Sequence, residues 1–189
     1  MIESGYWRME LKRDLAWLKD HQKYRRWSEK QQVLYERKLM LVAFQVRSLL
    51  ERPKVNHQAR GTRMPVLRYK KVGNHPFTVM GSGFIDDRFD MERPEATFLP
   101  VLEVCNQLIH YYWMQTFSEG QVFASMIVFS DYKRHKYAYE MRIADLLRLF
   151  RIFGSDFSAV DGMEACWGDK AQDYVVTKSW GMSDLKIKL

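Results

Sequence analysis

The run Phe98–Phe117, FLPVLEVCNQLIHYYWMQTF, constrains this chain more than any other segment. It is apolar along most of its length, so whatever it forms has to be buried. Polar groups in such a run are costly unless they find partners. Asn106 and His110 sit there four residues apart, with Glu103 and Gln107 beside them. Glu103, Asn106 and His110 follow an i, i+3, i+7 spacing, which places them on one face of a helix. The run therefore predicts a helix over residues 99–116, buried on most sides and carrying a polar stripe.

The rest of the chain supplies partners for that helix. Trp7, Leu11, Leu15 and Leu18 recur at helical spacing and predict an amphipathic helix over residues 5–22. A second helix is expected over 28–51, with Ser28 as N-cap and Gln31 at capping-box spacing. Its core stripe is Tyr35, Leu39, Val42, Val46 and Leu49, widened by Leu41, Phe44 and Leu50, which suits a central bundle helix. Pro53 ends it.

Two β-like runs follow, Pro65–Val72 and Pro76–Met80, with a Gly73-Asn74 turn signal between them. Gln121–Phe129 is apolar on both faces and predicts a covered strand. Ser130 or Asp131 would then cap a long helix over 131–153, with Tyr139, Ile143, Leu146, Leu147, Phe150 and Phe153 as its stripe and Gly154 as its stop. Beyond it, Tyr174–Ser179 and Leu185–Leu189 are candidate short strands. The expected class is α+β, mainly α: a four-to-five-helix bundle with a small β insertion and an irregular C-terminal tail. Residues 1–154 would form the bundle domain, with the insertion at about 64–90. Residues 155–189 would pack on that domain or on a partner.

The net charge of +7 is unevenly placed. Residues 1–72 hold 18 Lys and Arg against 7 Asp and Glu, whereas residues 73–189 hold 12 against 16. No acidic residue lies between Arg52 and Ile85, a stretch containing Arg52, Lys54, Arg60, Arg63, Arg68, Lys70 and Lys71. Such a patch attracts polyanions and releases counterions on binding nucleic acid. It could equally be a solvated loop that balances acids elsewhere in the fold. Cys105 and Cys166 form neither a disulfide framework nor a zinc pattern, so a reducing, cytoplasmic setting is expected. The charged N-terminus does not read as a secretory signal, and no apolar window is long enough to span a membrane.

Three places could carry chemistry. In the polar stripe, imidazole is the usual acid–base group near neutral pH, and Glu103 or Asn106 could orient His110. The alternative is a hydrogen-bonded stripe whose only task is to satisfy itself. An accessible His110 within hydrogen-bond reach of an Arg from another helix would favour chemistry. An enclosed His110 bonded to Glu103 or a carbonyl would favour structure. The second place is the start of the predicted 131–153 helix, where Lys133, Arg134, His135 and Lys136 could hold a phosphate at the helix N-terminus, or simply pair with nearby acids. The third is the cluster Asp86, Asp87, Asp90 and Glu92, which lacks EF-hand spacing and reads as a solvated loop. No P-loop, dinucleotide fingerprint or nucleophile elbow occurs, so no metal and no cofactor is expected.

The segment Cys105-Asn106-Gln107-Leu108-Ile109-His110 resembles the signature of the HEPN superfamily, an Arg followed four to six residues later by His, often with Asn directly after the Arg. Here Cys105 stands where the Arg belongs. The resemblance implies a helical bundle, a place in bacterial toxin–antitoxin or phage-defence systems, and a metal-independent ribonuclease whose Arg and His meet on the scissile phosphate across a homodimer interface. Arg47 is the candidate to replace the missing guanidinium. Arg52 with His57 repeats the spacing, but Pro53 interrupts any helix there. A broader likeness, to an uncharacterised bacterial family of helical-bundle proteins, rests on Tyr35-Glu36-Arg37-Lys38 with Arg47, on Cys105-Asn106-Gln107 with Ile109-His110, and on Ser130-Asp131 with Arg134 and Lys136.

Two functions are therefore expected to compete. One is RNA binding, RNA in preference to DNA, through the basic 52–71 segment with Arg134 and His135, with His110, Asn106, Glu103 and Arg47 as the candidate catalytic group. The other is a non-catalytic interaction subunit whose basic face docks on an acidic protein partner.

Overall fold

The computed structural model describes residues 4–23, 28–51, 55, 57–78, 80, 85–155, 162–170 and 172–180. In chain order the elements are α1 (Ser4–Asp20), α2 (Glu29–Glu51), α3 (His57–Arg60), β1 (Arg63–Lys70), β2 (Glu95–Pro100), α4 (Val101–Ile109), β3 (Tyr111–Glu119), β4 (Val122–Ser130), β5 (Tyr137–Arg142), α5 (Ile143–Ser155), β6 (Gly162–Gly168) and β7 (Asp173–Trp180). Five strands form one antiparallel sheet in the order β2-β1-β5-β4-β3, and β6 pairs with β7 in a separate ribbon. The expectation of a mainly α bundle with a small β insertion is thus overturned. The organising element is the sheet, with helices laid on it.

The alternation of side chains along the strands creates two cores. Met64, Val66, Met126, Val128, Tyr139 and Met141 face the layer made by α1, α2, α4 and α5. Tyr69, Ile127, Phe129 and Ala138 point the other way and meet Phe77, Ile85 and Phe89 from the β1–β2 connection. This second face explains why 76–78 is not a strand. Both edges of β1 are already taken by β2 and β5, so the segment after Gly73 (φ 67°) cannot fold back as a hairpin onto β1. It delivers Phe77 onto Phe129 instead, with ring centroids 4.6 Å apart.

Two long helices of the expected set are also corrected. The helix expected over 99–116 is only α4. Pro100 precedes it in extended geometry (φ −57°, ψ 147°), and His110 closes it. Tyr111, Tyr112 and Trp113 then enter β3, where aromatic side chains suit a pleated, half-buried surface. The helix expected over 131–153 is a turn, the strand β5, and then α5. Residues Ile143, Leu146, Leu147, Phe150 and Phe153 are buried at helical spacing as expected. Tyr139 fell into step with them by coincidence, since it belongs to the alternating pattern of β5.

The first two helices form where their periodicity places them. Ser28 and Gln31 close the capping box: Ser28 N donates to Gln31 Oε1 at 2.9 Å, and Gln31 N donates to Ser28 Oγ at 3.3 Å. Tyr35, Leu39, Val42, Val46, Leu49 and Leu50 are buried, but Leu41 and Phe44 are exposed, so α2 is a surface-layer helix and not a bundle centre. Arg8 ties α1 to the end of α5 by donating to the Phe153 carbonyl at 3.1 Å. β7 covers the strand expected near 174–179, β6 was not anticipated, and residues 185–189 lie outside the described residues.

Candidate functional site

The short α4 changes the geometry of the polar stripe. His110 is its C-cap, and both backbone groups are held: its N–H donates to the Asn106 carbonyl at 3.0 Å, and its carbonyl accepts from Asp131 N at 2.9 Å. The ring is solvent-exposed. Helix α2 packs along α4 and brings Arg47 to it, with Arg47 Nη1 3.3 Å from His110 Nε2. The same guanidinium donates through Nε to Glu51 Oε1 at 2.7 Å. Because Arg has donors only, Nε2 is the acceptor in this contact, which leaves the ring proton on Nδ1. Arg47 also lies near enough to Cys105 for its charge to act on the buried thiol, although burial dominates and pushes that thiol up. The guanidinium therefore reaches the neighbourhood of position 105 from another helix.

Glu103 and Gln107 bond each other and reach His110 through Tyr132. Gln107 is fully buried and its amide donates to Glu103 Oε1 at 2.8 Å and to the Tyr132 hydroxyl at 3.2 Å. Burial, and then the Glu103 charge, push the Tyr132 hydroxyl up, while Arg47 pulls against them. The Tyr132 ring meets His110 edge-on at 6.4 Å. Asn106 Oδ1 and Gln107 Oε1 are buried without a hydrogen-bond partner, so two orphaned acceptors lie at this end of α4. Such costs concentrate where function opposes folding.

The basic residues after Ser130 are not at a helix N-terminus. They occupy the β4–β5 connection, and α5 begins only at Ile143, where Asp145 accepts from Arg142 at 2.8 Å. The macrodipole argument for a phosphate site at 131–136 therefore falls. A different juxtaposition replaces it. Lys71 N donates to the Lys136 carbonyl at 2.9 Å, closing the end of β1 onto this connection. Lys70, Lys71, His135 and Lys136 then line a groove of about 240 Å³ with Gly73 and Tyr137.

The other candidates scatter. Arg68 is consumed by an ion pair with Glu95 and lies 4.6 Å over the Tyr137 ring. Arg134 bonds Asp131 and His135 and stacks 3.5 Å from the Tyr112 centroid. Arg63 is exposed at the start of β1 and Arg60 is half-buried at the end of α3. Arg52 and Lys54 lie outside the described residues. No group of three or more metal-ligating side chains occurs among the described residues, and no helix among them is long and apolar enough to cross a membrane.

Sequence reasoning passed over Tyr132 and underused Lys136. The signal was the placement of both in one polar connection between two strands, which is visible only once β5 is recognised. Compared with protein-family models, curated proteins and solved structures, the chain matches none of them.

Proposed function

We propose that this chain binds RNA, with the Lys70–Lys71–His135–Lys136 groove taking the backbone and the Arg47–His110 pair meeting a phosphodiester. The observation that carries the reading is the exposed 3.3 Å contact between Arg47 and His110, which joins a permanent cation to an imidazole acceptor. A phosphate arriving at the guanidinium competes with Nε2 for its N–H. Displacement leaves the Nε2 lone pair free to accept the 2′-hydroxyl proton as that oxygen attacks phosphorus; the P–O5′ bond breaks, the leaving 5′-oxygen takes a proton from water, and Arg47 holds the phosphate charge. Glu51, bonded to the other side of the guanidinium, fixes its orientation. This arrangement supports a weak metal-independent ribonuclease activity built on a sheet-based fold; a place in a bacterial defence or toxin–antitoxin system rests on the sequence resemblance alone.

The test is RNA cleavage and binding by wild type and His110→Ala at low and high salt, without added metal. Cleavage lost in the variant with salt-sensitive binding retained supports the catalytic form of the proposal. Binding unchanged with no cleavage in either protein leaves an RNA binder. Absence of binding at low salt removes both.

A second reading is favoured by the outer face of α2. Val33, Leu34, Leu41 and Phe44 are exposed there, interleaved with exposed Lys30 and Arg37. An apolar stripe edged by cations suits an acidic amphipathic protein segment, in which case the chain is a docking subunit. Leu41→Glu abolishes such docking and leaves RNA binding untouched, whereas Lys70→Ala does the reverse.

A further inference from the structure

Resting on the RNA reading, we infer that Tyr132 is a stacking platform for one unpaired nucleobase, so that the ligand is single-stranded at this site. Tyr132 as a residue is 47% exposed, yet its ring is held at its polar end. Its hydroxyl is clamped by the amide of Gln107, a side chain with no exposure, and Gln107 is in turn held by Glu103. The base of the ring is fixed because Asp131 N is bonded to the His110 carbonyl. An exposed aromatic whose polar end is locked loses little entropy on binding a flat partner.

Its place in the fold gives the platform a use. Tyr132 touches His110, which touches Arg47, so a base on the ring would put its own phosphate beside the guanidinium. Three and four residues on, His135 and Lys136 line the lysine groove. Four residues of chain span at most about 14 Å, so the platform and the groove can be covered by a few nucleotides of one strand. A duplex offers no unstacked base to such a ring, and sequence-tolerant recognition of single strands is built from this combination of aromatic faces and basic grooves. Lys133 Nζ, 5.8 Å from the Tyr132 centroid, adds a cation at the same ring.

The test compares equilibrium binding of three probes to wild type, Tyr132→Ala and Tyr132→Phe: a single-stranded RNA octamer, an abasic octamer of the same backbone, and a blunt RNA duplex. Wild type is expected to prefer the single strand over both other probes. Tyr132→Ala should weaken the octamer roughly 5- to 100-fold and leave the abasic strand within about twofold. Tyr132→Phe keeps the face but loses the hydroxyl clamp, and should bind the octamer between wild type and Tyr132→Ala, closer to wild type. If Tyr132→Ala binds the octamer normally, or weakens the abasic strand equally, the platform is overturned while the RNA reading stands. If wild type binds none of the three at low salt, the RNA reading itself fails.

Discussion

Glu36 sits in a setting that opposes its charge. It lies half-buried on α2, beside a small cavity lined by Gln32, Tyr35, Thr116, Ser118 and Phe123. Burial pushes its carboxyl above the ordinary 4.5, and the hydrogen bond from Gln32 at 2.9 Å offsets only part of this. A carboxyl raised in the folded state contributes its full stability only below the ordinary value, and loses it as pH rises through the folded value. Ionised Glu36 is therefore a liability at neutral pH. Glu36→Gln is expected to raise Tm by about 1–3 °C at pH 7 and to do nothing at pH 3.5. Equal gains at both pH values in thermal denaturation would show that packing and not charge is responsible. The same scale shows what single positions revealed. Asn106 and His110 stood out because polar residues in an apolar run need a reason. Arg47 could be nominated as a partner, but nothing in one sequence states that residues 47 and 110 lie a hydrogen bond apart. That contact depends on α2 packing along α4, a tertiary fact.

At the scale of elements, the second core is the feature that separates this fold from a helical bundle. Phe129 is fully buried among Phe77, Phe89 and Trp113, with centroids 4.6, 5.0 and 5.3 Å away. Phe129→Ala should cost about 3–5 kcal/mol in chemical denaturation. Phe44→Ala, on the exposed face of α2, should cost within about 0.5 kcal/mol. Comparable losses from both would mean that α2 is covered in solution. The contrast also explains which elements were legible. Helices α1 and α2 have one wet face, so their 3.6-residue period survives in the sequence. Elements α4, β3 and β5 are apolar on more than one side, and short apolar runs of that kind fit helix and strand alike. The strand β4 was readable because Gly120 (φ 61°) and Gln121 form a two-residue turn that fixes where it begins.

For the whole molecule, four tyrosines, Tyr132 outside the cores among them, and the Cys105 thiol share a common response to alkali. Burial, and after it the hydrogen bond to Glu140, push the Tyr69 hydroxyl up; burial does the same for Tyr111, Tyr132, Tyr139 and the Cys105 thiol. All are raised in the folded state, so their contribution is intact below the ordinary values of 9.0 for the thiol and 10.0 for the phenols. It is lost progressively as pH climbs above them, because the unfolded chain then releases protons that the native chain retains. Tm should hold between pH 7 and about 8.5 and fall steeply above about 9. Tyr69→Phe should flatten that fall, and a slope unchanged by the substitution would move the cause elsewhere.

The charge asymmetry visible in the sequence also acts at this scale, but the fold redistributes it. Arg68 and Arg134 looked like ligand cations, yet both are occupied, by Glu95 and Tyr137 in one case and by Asp131 and Tyr112 in the other. Lys70 and Lys136, sixty-odd positions apart in the chain, instead share a groove. Each cation that neutralises a phosphate of a single strand contributes about 0.7 to the slope of log affinity against log salt. Lys70→Ala with Lys136→Ala should therefore reduce that slope by about 1.4 in RNA titrations, with Arg68→Ala leaving it near the wild-type value. If Arg68→Ala flattens the slope as much as the double lysine variant does, binding follows the basic stretch of sequence and not the groove. Proximity in the fold, rather than density along the chain, decides which of the many cations on this protein act together.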